Sequence, residues 1–150
     1  MKRVLLYLTV IIVLTLIWYG ESRKFFCLDK GRCVTVWKTY NDVCYIIPGK
    51  YYGLLKPSSA NYIQTTNLSD VDIIWQRGSS GMIVSVDDNS KIINQSSEQD
   101  KIVNYNIHKM YYDSLFTYFD GKYRRYNKGL DYMSIFIKEN YATDKEGKHL

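Results

Sequence analysis

Glycine and proline are scarce in this 150-residue chain, at nine and two residues, which excludes collagen-like and low-complexity architectures. Histidine is limited to His108 and His149, and cysteine to Cys27, Cys33 and Cys44. The cysteines form no C-x-x-C pair and no paired zinc knuckle, so a metal centre would have to gather distant ligands; no metal and no cofactor is expected. A phosphate-cradling loop is missing too. Gly78-Ser79-Ser80-Gly81 lacks both the following lysine and a helix to present its dipole, and it reads as a hairpin tip. There is no internal repeat, charge block or linker, and no helical run long enough to connect parallel strands separates successive strand candidates.

Catalytic signatures are equally thin. A cysteine nucleophile would need His108 as its base, and no local motif surrounds any of the three thiols. Most of the acids, notably Asp42, Asp70, Asp87, Asp88 and Asp120, lie in turn-like or tail segments, where a carboxylate ordinarily bonds its own backbone. No catalytic residue is assigned.

What the chain does have is 46% apolar and 15% aromatic residues, with a formal net charge of +5. Lys2 and Arg3 precede Val4 to Gly20, a run of 17 residues without a charge in which only Thr9 and Thr15 are distinctly polar. As a helix it spans about 25 Å, just inside the range that a bilayer core of ~30 Å accepts. Residues 1–20 are therefore read as a signal anchor, placed in the membrane through Val4 to Tyr19 with Trp18 and Tyr19 at an interface. Gly20 and Ser22 form one weak small-x-small pair, which keeps a cleaved signal as the alternative. The expected location is a single-pass membrane protein with its domain on the non-cytoplasmic side, or a secreted or periplasmic domain after cleavage. The remaining residues, 21–150, make one domain with a balance of only +3.

Beyond residue 20, short β-branched and aromatic runs alternate at period two between turn residues, about every ten positions. Strands are expected at Arg32 to Tyr40, Val43 to Ile47, Lys50 to Leu55, Asn61 to Thr66, Val71 to Gln76, Met82 to Val86, Lys91 to Asn94, Lys101 to Ile107 and Leu130 to Lys138. Asn41-Asp42 reads as a two-residue turn, and the chain from Asn140 onward as a frayed tail. Over 109–119 the stripe Tyr112, Leu115, Phe116 and Phe119 suits one short helix, whereas Asp120-Gly121 between β-formers suits a hairpin, the reading preferred here. The fold class is mainly β, a single antiparallel sandwich or barrel behind an N-terminal helix. If Lys30-Gly31 is a two-residue turn, Cys27 and Cys33 fall on opposite sheet faces and Cys44 lies ~20 Å along the strand, so three free thiols are expected.

Fifteen tyrosines are the largest compositional oddity. An apolar face, a polar tip and a low entropy cost suit tyrosine-rich β surfaces to recognition. Around the Asp120-Gly121 turn, Tyr118, Lys122, Tyr123, Arg124, Arg125, Tyr126 and Lys128 interleave cations with rings and form the candidate binding site. In an extracytoplasmic setting nucleic acid is not the expected partner, which leaves a protein, an anionic surface or a polysaccharide. The function these features indicate is a membrane-tethered or exported binding protein. A small hydrolase built on loop carboxylates and a structural subunit of a membrane complex are the alternatives.

Overall fold

A computed structural model describes residues 2–29, 31–76, 81–95, 101–104, 116–119, 123–126 and 130–150. One helix, α1 (Lys2–Ser22), runs without a loop into β1 (Arg23–Cys27). β1 begins a five-stranded sheet continued by β2 (Cys33–Lys38), β3 (Val43–Pro48), β4 (Tyr62–Thr66) and β7 (Lys91–Ile93). The second sheet has the order β12 (Tyr141–Asp144), β11 (Leu130–Phe136), β5 (Asp70–Gln76), β6 (Met82–Ser85) and β8 (Ile102–Asn104). β9 (Phe116–Phe119) and β10 (Tyr123–Tyr126) form a separate two-stranded ribbon. The pairing of β9 with β10 agrees with the hairpin reading of this stretch, while residues 105–115 and the Asp120-Gly121 turn itself lie outside the described residues.

The two large sheets share one core, to which Phe26, Val34, Val36, Cys44, Ile46 and Ile63 contribute from the first and Val71, Ile73, Trp75, Val84, Met133 and Ile135 from the second. Period-two alternation produces this: Met133 and Ile135 point inward from β11 while Tyr132 and Ser134, which alternate with them, remain half-buried. The sheets are open, and among the described residues no strand closes them into a barrel.

Several expectations are corrected. The β1–β2 loop is wider than a two-residue turn, because Asp29 turns its carboxylate onto the N–H groups of Gly31 and Arg32, each at 2.9 Å. Cys27 then stands directly opposite Cys33, and the two form a disulfide, leaving only Cys44 as a free thiol. The β2–β3 turn is also one residue longer than expected, with Asp42 in the left-handed region at φ 58°. That geometry closes a three-residue loop and pairs Lys38, rather than Thr39, with Cys44. Lys50 to Leu55 is not a strand. β3 stops at Pro48, Gly49 follows at φ 78°, and the Tyr51 N–H bonds the Thr35 hydroxyl at 2.7 Å instead of joining a ladder.

β8 pairs with β6 in parallel, an exception to the antiparallel rule, because the chain leaves the second sheet to place β7 at the edge of the first before returning. The tail is not frayed either. Asn140, at φ 62°, reverses the chain into β12, which buries Ala142 and stacks Tyr141 on Phe136 with ring centroids 4.5 Å apart.

α1 packs against the start of β1 and leaves its apolar side chains exposed, so it is not a core helix. Among the described residues no helix is long and apolar enough to cross a membrane.

Candidate functional site

The foot of α1 carries a cluster of polar and aromatic contacts. Helical spacing places Tyr19 four residues before Arg23, and the β1–β2 register places Trp37 directly opposite it. The guanidinium carbon consequently lies 4.1 Å from each ring centroid, held between the two aromatic faces. Arg23 is only 4% exposed, and its Nη2 donates to the Gly53 carbonyl at 2.7 Å. Its Nε and Nη1, like the Trp37 Nε1, have no hydrogen-bond partner among the described residues. Burial lowers the pKa of Arg23, against the electrostatic influence of Tyr19 and Tyr51. A second bond, from the Tyr19 hydroxyl to the Tyr52 carbonyl at 2.7 Å, joins helix to loop. Together these contacts form a dehydrated joint that fixes where α1 leaves the domain.

Trp37 also begins an aromatic layer on the outer face of the first sheet. It packs against Tyr45 and Tyr51, and Tyr45 meets Tyr62 edge-on with centroids 5.7 Å apart. Tyr51 and Tyr52 diverge: the first turns inward onto this layer, and the second is exposed.

Several carboxylates make contacts within the fold. Arg32 reaches Asp29 on its own loop and Asp131 on β11, tying the two sheets together. The side-chain hydrogen bond from Arg32, with the Gly31 N–H, holds Asp29 down to about 2. Asp72 accepts hydrogen bonds from Tyr132 and Ser134 on the neighbouring strand. Asp87 accepts from Ser69 at 2.5 Å and Ser90 at 2.6 Å; burial pushes its pKa up, but these bonds and one from the Asn89 N–H outweigh that and hold it below the ordinary range. An open groove of about 560 Å3 lies at the disulfide, lined by Cys27, Asp29, Gly31, Cys33, Gly49 and Lys50.

Of the residues singled out in the sequence, Tyr118, Tyr123, Arg124, Arg125 and Tyr126 fall on the ribbon, where Arg124 pairs with Tyr118 and Tyr123 with Phe119. Lys122 and Lys128 lie outside the described residues. The joint at Arg23 is not among the sites expected from the sequence. The available signal was Tyr19 and Arg23 at helical spacing; the pairing with Trp37 depends on the hairpin register. No protein-family model, no curated protein and no solved structure matches the chain.

Proposed function

We propose that this chain is a membrane-tethered binding protein, in which α1 holds the β domain at a bilayer on the non-cytoplasmic side and the β9–β10 ribbon meets a protein or an anionic polysaccharide. The observation that carries the tether is the exposure of twelve large apolar side chains of α1 between Val4 and Trp18, each 47–71% accessible. Water is a poor environment for such a surface. Ten of the twelve are Val, Leu or Ile, which together favour insertion by roughly 3–6 kcal/mol at 0.3–0.6 each. The two threonines suit lipid as well, since the Thr9 hydroxyl bonds the Leu5 carbonyl at 2.9 Å and that of Thr15 the Ile12 carbonyl at 2.8 Å. The binding half of the reading is supported by the sequence of the ribbon strands, in which Tyr118, Tyr123, Arg124, Arg125 and Tyr126 lie on two paired strands.

The full chain, mixed with phosphatidylcholine vesicles, should float with them and resist carbonate washing. The double substitution Ile11→Asp and Leu14→Asp costs roughly 5–7 kcal/mol at the helix centre and should release it. Flotation that ignores both changes, or a wild-type chain that stays in the aqueous fraction, overturns the tether. Protease added to the non-cytoplasmic side should digest the domain. Binding at the ribbon should weaken with salt and with Arg124→Gln and Arg125→Gln; insensitivity to both removes the ribbon from the reading.

A further inference from the structure

We infer that the end of the β domain nearest α1 is itself a membrane-contact surface, with the loop 51–55 resting in the lipid interface beside the helix. The inference rests on the tether reading. Its first support is the way the loop is held. The Tyr51 N–H bonds Thr35, the Tyr51 hydroxyl donates to the Leu55 carbonyl at 2.6 Å, and the carbonyls of Tyr52 and Gly53 accept from Tyr19 and Arg23. Gly53 is required, since a Cβ there would fall on the Tyr51 ring. With the carbonyls of Tyr52, Gly53 and Leu55 hydrogen-bonded, the loop presents Leu54 at 76% and Leu55 at 80% exposure, with the exposed Tyr52 beside them. A braced loop that turns two leucines outward is poorly explained by solvent.

The second support comes from sheet register. Arg23 pairs with Trp37, so β2 runs back toward α1 and its turn, carrying the exposed Tyr40, lies at the helix end of the sheet. β4 ends at the same level, where the Asn67 N–H bonds the Asp42 carbonyl at 3.0 Å, and the next residue, Leu68, is exposed. Tyr40, Tyr52, Leu54, Leu55 and Leu68 thus share the end from which an apolar helix emerges. This makes the contact continuous with α1 and identifies the occupant as the bilayer that holds α1. Asp42, Asp87 and Lys38 belong to the same end, so charges of both signs are present there and the contact is expected with zwitterionic rather than anionic lipid.

The test uses the full chain in phosphatidylcholine vesicles, labelled with an environment-sensitive fluorophore at L55C or, as the distant control, at E146C beyond β12. Cys44 is buried and stays unlabelled. The L55C probe should shift to the blue and be quenched by lipids carrying a shallow nitroxide, whereas the E146C probe should behave as in water. A third probe, at L68C, should also be quenched and should lose that quenching when L54E and L55E are added, while the chain still floats. A floating chain whose L55C and E146C probes respond alike, or an L68C probe indifferent to the two glutamates, overturns the surface and leaves the tether standing. A chain that does not float overturns the tether and the surface with it.

Discussion

Reduction of the Cys27–Cys33 disulfide should destabilise the domain by about 2.4 kcal/mol. The bond closes a ring of seven residues, from a sequence separation of 6, and the chain-entropy relation for a loop that short gives roughly 8 cal/mol/K, or about 2.4 kcal/mol at 25 °C. Reduction leaves the contacts around Phe26 and Val34 in place, so the loss comes mainly from the greater freedom of the unfolded chain. For a domain of this size the same free energy lowers the thermal midpoint by roughly 8–10 °C. The assay is thermal unfolding of the full chain in detergent, with and without dithiothreitol, followed by tryptophan fluorescence; alkylation and mass spectrometry establish which thiols are free before heating. Coincident midpoints with the bond demonstrably reduced would refute the loop-closure reasoning. Three free thiols in protein from an oxidising compartment would refute the pairing itself.

The remaining expectations concern other elements of the domain. Asp29→Asn should destabilise the protein at neutral pH and have little effect at pH 2: the folded carboxyl sits at about 2, below its unfolded value, so its contribution is present above about pH 4 and fades as pH falls through the folded value, which a pH series of unfolding midpoints will show. Cys44 is pushed up to about 12 by burial, so it should resist a disulfide-exchange reagent at pH 8 in the folded protein and react promptly once unfolded, with absorbance at 412 nm as the readout. Met133→Ala, at a fully buried position of the shared core, should cost about 2–5 kcal/mol in denaturant titrations; a loss under about 1 kcal/mol would mean that the sheets do not pack there as described.

Much of the fold was legible in the sequence because the sheets have one buried face in common. Alternation at Met133, Ile135 and Ile137 marks the inward side of β11 whatever its neighbours are, and Gly, Asn and Asp mark the chain reversals from local backbone preference alone. The apolar run from Val4 was equally plain as a helix, since nothing within it breaks one. Turn length was harder to read. Asp29 and Asp42 each lengthen a hairpin loop, one by capturing two backbone N–H groups and the other by adopting φ 58°, and a single added residue changes every cross-strand pair. The disulfide, the pairing of Lys38 with Cys44, and the meeting of Arg23 with Trp37 are all consequences of register.

The sequence by itself determined that short strands follow one N-terminal helix, because periodicity and turn preference act within a few residues; it missed β1 and β12 and placed a strand at Lys50 to Leu55 where none forms. Tertiary structure decided which strands became neighbours, that β8 runs parallel to β6, that residues 141–144 close a sheet edge, and that Leu54 and Leu55 leave the strand pattern to stand exposed beside α1. Those outcomes depend on contacts between positions far apart in the chain, such as Tyr19 with Tyr52 and Arg32 with Asp131. Neither partner of such a pair signals the other until the backbone has brought them together.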